Sequence, residues 1–154
     1  MRIWGCTLAY APKSTTIINA IITLLKAASG DARLSTPIKA YLQFPDFRGR
    51  VGYPAVVVEL LRESFESNNL VVGTFNVQVY VTEARDNLLP QALRLMAHEV
   101  RQQITRDQKV TSLVRICEID SIAYEHGFAD GAGGKKSPAG RVTLQFSMKY
   151  KEPF

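Results

Sequence analysis

Hydrophobic and polar positions alternate along this chain with two distinct periods, and the switches between them mark its elements. Over Ser14–Ser29 the apolar residues Ile17, Ile18, Ile21, Leu24, Leu25 and Ala28 recur at helical spacing and predict one buried stripe. Ser14 or Thr15 is placed to cap that helix, and Gly30 stands where a left-handed terminating residue belongs. Its β-branched content (Ile17, Ile18, Ile21, Ile22) leaves a strand as the alternative. Ala55–Phe65 opens with the continuous run Ala55-Val56-Val57-Val58, which suits a strand covered on both faces, with a helix as the alternative. Glu66-Ser67-Asn68-Asn69 supplies turn residues. Thr74–Thr82 then alternates, Phe75, Val77, Val79 and Val81 against Asn76, Gln78, Tyr80 and Thr82, completing a predicted antiparallel hairpin.

A second helix is predicted after Asp86 or Asn87 as cap, with Pro90 in its first turn. Leu89, Leu93, Met96, Val100 and Ile104 form its apolar stripe, while Arg94, Glu99, Arg101, Gln102 and Arg106 are expected towards solvent. Leu113–Tyr124 reads as a strand in which Val114 and Ile116 are out of register with Ile119, the signature of a bulge. Arg141–Tyr150 is the most regular strand. Val142, Leu144, Phe146, Met148 and Tyr150 share one face, and Arg141, Thr143, Gln145, Ser147 and Lys149 the other. The expected fold class is therefore α+β: a four-stranded, mainly antiparallel sheet in α-β-β-α-β-β order, with both helices on one face. The opposite face is expected to be polar, and either solvated or docked against another subunit.

Two stretches have no period. Residues 31–54 carry Pro37 and Pro45 together with Tyr41, Phe44, Phe47, Tyr53, Arg48 and Arg50. They read either as an apolar flap over the chain's own core or as an arm reaching a neighbouring subunit, where aromatic and arginine side chains are favoured. Residues 127–140 hold five glycines, one proline and the pair Lys135-Lys136. A hairpin turn needs only about 2–5 residues, so this stretch is expected to be a long loop built to meet a partner.

A length of 154 residues fits one domain spanning the whole chain. A net charge of +5 with a sequence pI near 9.4 suits an anionic partner and equally suits plain solubility. Cys6 and Cys117 are too few for a disulfide framework, and Cys117 within a strand reads as a buried reduced thiol. No run reaches the about 18–20 apolar residues of a membrane span. Ala9-Tyr10-Ala11 imitates a signal-peptide cleavage site, but the apolar stretch before it is broken by Gly5, Cys6 and Thr7, so a reducing cytoplasm is the expected compartment.

The motifs with chemical meaning are incomplete. His98-Glu99-Val100-Arg101-Gln102 approaches the zinc-protease pattern H-E-x-x-H, yet Gln102 stands where the second imidazole is required. Gly133-Gly134-Lys135-Lys136-Ser137 approaches a phosphate-binding loop, yet Ala129 replaces its first glycine, Lys136 its hydroxyl residue, and a strand follows instead of a helix. Glu125, His126 and Asp130 gather beside the glycine-rich stretch without a defined geometry. Nor does Arg141–Tyr150 carry the aromatic consensus of an RNA-recognition sheet. No enzyme activity, catalytic residue, metal site or cofactor is expected.

The whole pattern resembles the tail terminator, or tail-completion, proteins of long-tailed bacteriophages. The likeness rests on the opening helix, the irregular segment ending in Tyr53-Pro54-Ala55-Val56-Val57-Val58, and the alternating strand Thr74–Thr82. It continues with the helix through His98-Glu99-Val100-Arg101, a glycine-containing loop and the final strand. The resemblance implies a subunit of a homo-oligomeric ring, a hexamer, that caps the tail tube, touches tail-tube and neck or connector proteins, and lets DNA pass through its lumen. It implies a virion location, with assembly in the host cytoplasm and no membrane partner. On this reading Lys135, Lys136, Arg48 and Arg50 are the expected partner or DNA contacts, and Tyr41, Phe44, Phe47 and Tyr53 the expected subunit interface. The alternatives are another neck or head–tail joining protein, or a small nucleic-acid-binding module.

Overall fold

A computed structural model describes residues 12–42, 54–82, 88–130 and 136–152. In chain order these form helix α1 (Lys13–Gly30), strands β1 (Ala40–Leu42), β2 (Ala55–Phe65) and β3 (Leu70–Thr82), helix α2 (Leu89–Arg106), the short helix α3 (Gln108–Thr111), and strands β4 (Ile116–Asp130) and β5 (Lys136–Lys151). The class is α+β, as expected, but the sheet is five-stranded and mixed, in the order β1-β2-β3-β5-β4. The extra strand is β1. Ala40-Tyr41-Leu42 pairs in parallel with Ala55-Val56-Val57, and Lys39 N donates to Pro54 O at 2.8 Å to start the ladder. Three residues leave no readable period, so a strand this short is set by its neighbour's open edge and not by local pattern.

The helix stripes follow the predicted spacing, except that Ile18, expected in the buried stripe of α1, is only partly buried at its margin. Ile17, Ile21, Leu24, Leu25 and Ala28 of α1 are buried, and so are Leu89, Leu93, Met96, Val100 and Ile104 of α2. They share one apolar cluster with Val56 and Val58 of β2, Phe75, Val77, Val79 and Val81 of β3, and Val142 to Tyr150 on alternate positions of β5. Both helices thus cover the same face of the sheet.

Their ends differ from expectation. Pro12, not Ser14 or Thr15, is the cap residue of α1: its carbonyl accepts from Thr15 N at 3.0 Å and Thr16 N at 3.3 Å, while Ser14 is buried inside the first turn. Gly30 remains helical, and the left-handed position falls on Ala32 at φ 59°. Asp86 and Asn87 lie outside the described residues; Leu88 holds the cap position of α2 without a side-chain hydrogen bond.

Much of the expected 127–140 loop is strand. Gly127 pairs with Ala139, Phe128 with Pro138 and Asp130 with Lys136, so β4 and β5 run as one long hairpin up to residues 131–135, which are outside the described set. The glycines mislead because one of them has a packing reason: a Cβ on Gly140 would come within 2.5 Å of Leu93 Cδ1 and 2.9 Å of Glu125 O. The β4 bulge exists but falls between Ile119 and Ser121. It restores Ile122 to the helix-covered side opposite Leu144, and Val114 is buried ahead of the strand.

Candidate interaction surfaces

The sheet face away from the helices carries the polar alternate positions. Rows of side chains cross it from β2 through β3 and β5 to β4: Arg62–Thr74–Ser147–Glu118, Glu59–Asn76–Gln145–Ser121 and Ala55–Tyr80–Arg141–Glu125. Much of its polarity is already satisfied within the chain. Tyr80 Oη donates to Gln78 Oε1 at 3.0 Å, and Gln78 Nε2 donates to Glu59 Oε1 at 3.0 Å. Arg141 forms an ion pair with Glu125 and sits 6.0 Å from the Tyr80 ring centre. Its hydrogen bond to Glu125 raises the guanidinium pKa, while burial raises that of Tyr80 against the opposing effect of Arg141. Ser147 Oγ donates to Asp120 Oδ2 at 2.6 Å, and Lys149 Nζ lies 3.0 Å from Glu66. At one end Ala55, Val57 and Tyr80 are buried as a small apolar cluster with Ala40 against it. Such a face offers amides, hydroxyls and paired charges.

Of the expected contact residues, Phe44, Phe47, Arg48, Arg50, Tyr53 and Lys135 lie outside the described residues. Lys136 opens β5, paired with Asp130. Tyr41 is half-buried on the helix side, opposite Val56, with Lys26 Nζ 5.1 Å from its ring centre. Burial raises its hydroxyl pKa, opposed by Ser29. Tyr41 thus packs against the chain's own core, while residues 43–53 of this segment lie outside the described residues.

Of the incomplete motifs, the one on α2 lies within the described residues, whereas Gly133, Gly134 and Lys135 of the other lie outside them. His98 Nε2 and Gln102 Nε2 are 3.0 Å apart, so the amide donates to the ring nitrogen that a metal would need. Glu99 is turned away from both: its carboxylate accepts from Ser35 N at 3.0 and 3.1 Å and from Ser35 Oγ at 2.7 Å. Among the described residues no three His, Cys, Asp or Glu side chains are grouped to hold a metal ion. Nor is any helix long and apolar enough to cross a membrane. Cys117 is a half-buried free thiol on β4 whose pKa burial, aided by Glu118, pushes up to about 11. A raised folded-state pKa favours the neutral thiol, so its contribution is complete below the unfolded pKa near 9 and declines as pH climbs from there to about 11. Stability measured by denaturant titration should therefore fall across that window, and Cys117→Ala should make the fall shallower.

Two features were not legible as contact surfaces in the sequence. The first is the outer face of α2. Arg94, Arg101 and Arg106 point outward with no ion pair among the described residues, whereas Glu99, the only acid on the helix, is engaged by Ser35. Beside this face open two grooves: one of about 330 Å³ along α1 from Thr16 to Ala27, and a more polar one of about 360 Å³ between Arg33, Gln102 and Arg106. The second is a set of exposed apolar side chains on the edge strand β4 and on the part of β2 beyond its described pairing with β1. Phe65 (64% exposed) and Leu61 (49%) stand on β2, with Ile116 (44%) and Tyr124 (40%) on β4. Which strands end up outermost is decided by pairing order, which no local period encodes. No protein-family model and no curated protein matches the chain.

Proposed function

We propose that the chain is a structural subunit of a bacteriophage tail terminator, self-associating into a ring that caps the tail tube and meets the neck. The observation that carries this reading is the sheet itself: both helices cover one face, the other carries the polar alternate positions, and Glu118, Ser121 and Glu125 of the edge strand β4 are exposed on it. A subunit that works by geometry needs a rigid sheet to fix its position and open surfaces to meet its neighbours. The helix–hairpin–helix–hairpin order on which the resemblance rests supports the same reading. The hexameric count, the tail-tube and neck contacts, and DNA in the lumen come from the resemblance. Deleting the gene from the phage that encodes it should leave filled heads and unjoined tails that are overlong or ragged at the head-proximal end. Normal infectious particles from the deletion would refute the role.

A second reading, a small nucleic-acid-binding module, is favoured by Arg94, Arg101 and Arg106 of α2, which have no ion pair among the described residues. Salt separates the two. Binding through phosphates weakens with a log–log slope of about 0.9 per contact on duplex DNA, while a ring held by apolar packing persists as salt rises.

A further inference from the structure

We propose that copies of this chain join edge to edge, the free part of β2 in one subunit forming an antiparallel ladder with β4 of the next. This deepens the ring reading and rests on the chain being a self-associating subunit. Among the described residues β1 occupies the outer edge of β2 only opposite Ala55–Val57, and β2 continues to Phe65. β4 is the other edge of the sheet, and Glu118, Asp120, Ser121 and Ala123 to Gly127 along it are exposed. Each edge therefore presents a row of backbone donors and acceptors that a further strand would satisfy.

Direction fits first. β2, β3, β5 and β4 are successively antiparallel, so β4 runs opposite to β2. A second copy placed beside the first in the same sheet, with its helices on the same side, brings β4 to β2 in antiparallel sense. Register fits next. β2 carries one extra residue between Leu60 and Arg62, and β4 one extra residue between Ile119 and Ser121. Both flank the row through Phe75 and Phe146. Glu59 to Arg62 and Glu118 to Ser121 consequently span equal numbers of residues, and the two bulges cancel between the edges. A same-height ladder would set Ser64 beside Ile116, Arg62 beside Glu118, Glu59 beside Ser121 and Val58 beside Ile122.

Side-chain chemistry fits last. Arg62 and Glu118 are both exposed, on the same sheet face, and neither has an ion pair or hydrogen bond among the described residues. They are opposite in charge. In the same register the exposed Leu61 would fall beside Ile119 of the neighbour, so the contact would also cover apolar surface on β2. The contact is heterologous, since different patches meet, so it repeats around a ring if the rotation closes.

The test uses the full chain with Cys6 and Cys117 changed to alanine, carrying either Arg62→Cys or Glu118→Cys. Mixed and mildly oxidised at high concentration, the two variants should yield a cross-linked pair that neither yields alone. As a second measurement, Arg62→Glu should weaken self-association at least about tenfold, and adding Glu118→Arg should restore it, with thermal stability of the monomer unchanged. Cross-linking of Glu118→Cys with itself would overturn the proposal in favour of a two-fold β4 contact. A closed oligomer in native mass spectrometry with no mixed cross-link overturns the edge contact while leaving the tail reading in place. A cross-linked open filament upholds the edge contact and counts against the ring. A monomer at every concentration overturns the proposal.

Discussion

Phe146→Ala should lower the unfolding free energy by about 3–5 kcal/mol, whereas Phe65→Ala should change it by less than about 0.5 kcal/mol. The two residues are chemically identical and sit in the same sheet, so their difference isolates burial. Phe146 is fully buried at an alternate position of β5, a strand paired on both sides. It faces Phe75 of β3 and Ile119 of β4, under helix α2 and the rest of the larger apolar cluster. Truncation there removes the ring's transfer free energy and leaves a cavity that strands held on both sides cannot collapse to fill. Phe65 ends β2 with most of its surface in water. Denaturant melts at low protein concentration measure both, because self-association would otherwise add to apparent stability. If Phe65→Ala proved as costly as Phe146→Ala in the monomer, the sheet face and edge assignments would both be wrong.

The contrast also marks what the chain's pattern discloses. Period-2 and period-3.6 alternation follow from which face of an element meets the core. The stripes of α1 and α2 and the inward faces of β3 and β5 were accordingly legible residue by residue. Ala40–Leu42 was not, since its pairing is a contact between segments separated in sequence. Nor was the length of the β4–β5 hairpin, whose glycine-rich arms looked like a loop. Gly127 pairs in the ladder, and Gly140 is small because Leu93 and the Glu125 carbonyl press on it. Helix ends failed for a different reason. Ser14, the obvious capping side chain, is buried in the first turn, and the Pro12 carbonyl accepts the first amides instead. The candidate surfaces divide along the same line. The polar face of the sheet follows from alternation, but its hydrogen-bonded rows, the uncompensated arginines of α2 and the matched bulges at the edges require strand order.

These features also bear on how a binding subunit keeps its shape. The β2–β3–β5–β4 ladder is long, and each central strand is held on both sides, so the face away from the helices is a stiff platform. Ion pairs such as Arg141–Glu125 and Lys149–Glu66 lie on that platform and add little stability at exposed positions. Their physical consequence is to fix side-chain positions and leave few unmatched charges. The Arg62 and Glu118 side chains, at opposite ends of one row, have no such partner among the described residues, and a neighbour could pair them.

Gly73→Ala should destabilise the fold by about 1–3 kcal/mol, although alanine is the better strand residue by intrinsic preference. Gly73 lies in β3 beneath Tyr150 of β5. A Cβ there would stand 2.7 Å from Tyr150 Oη and 2.8 Å from both Tyr150 Cε1 and Phe75 Cε1. None of these atoms belongs to a loose side chain. Phe75 and Tyr150 are fully buried with ring centres 6.2 Å apart, and Tyr150 Oη donates to Glu63 Oε2 at 2.6 Å. Moving the ring would lengthen that bond and leave a partly buried carboxylate without its donor. Burial, and secondarily the Glu63 hydrogen bond, already raise the Tyr150 pKa, so this ring is held in its neutral, donating form. Combining Gly73→Ala with Tyr150→Leu should cost less than the sum of the two single changes by about 1 kcal/mol or more, because the smaller side chain vacates the space the methyl needs. Full additivity in that double-mutant cycle, or a Gly73→Ala protein more stable than the parent, would mean that β3 and β5 do not approach here as closely as the Gly73–Tyr150 contact requires.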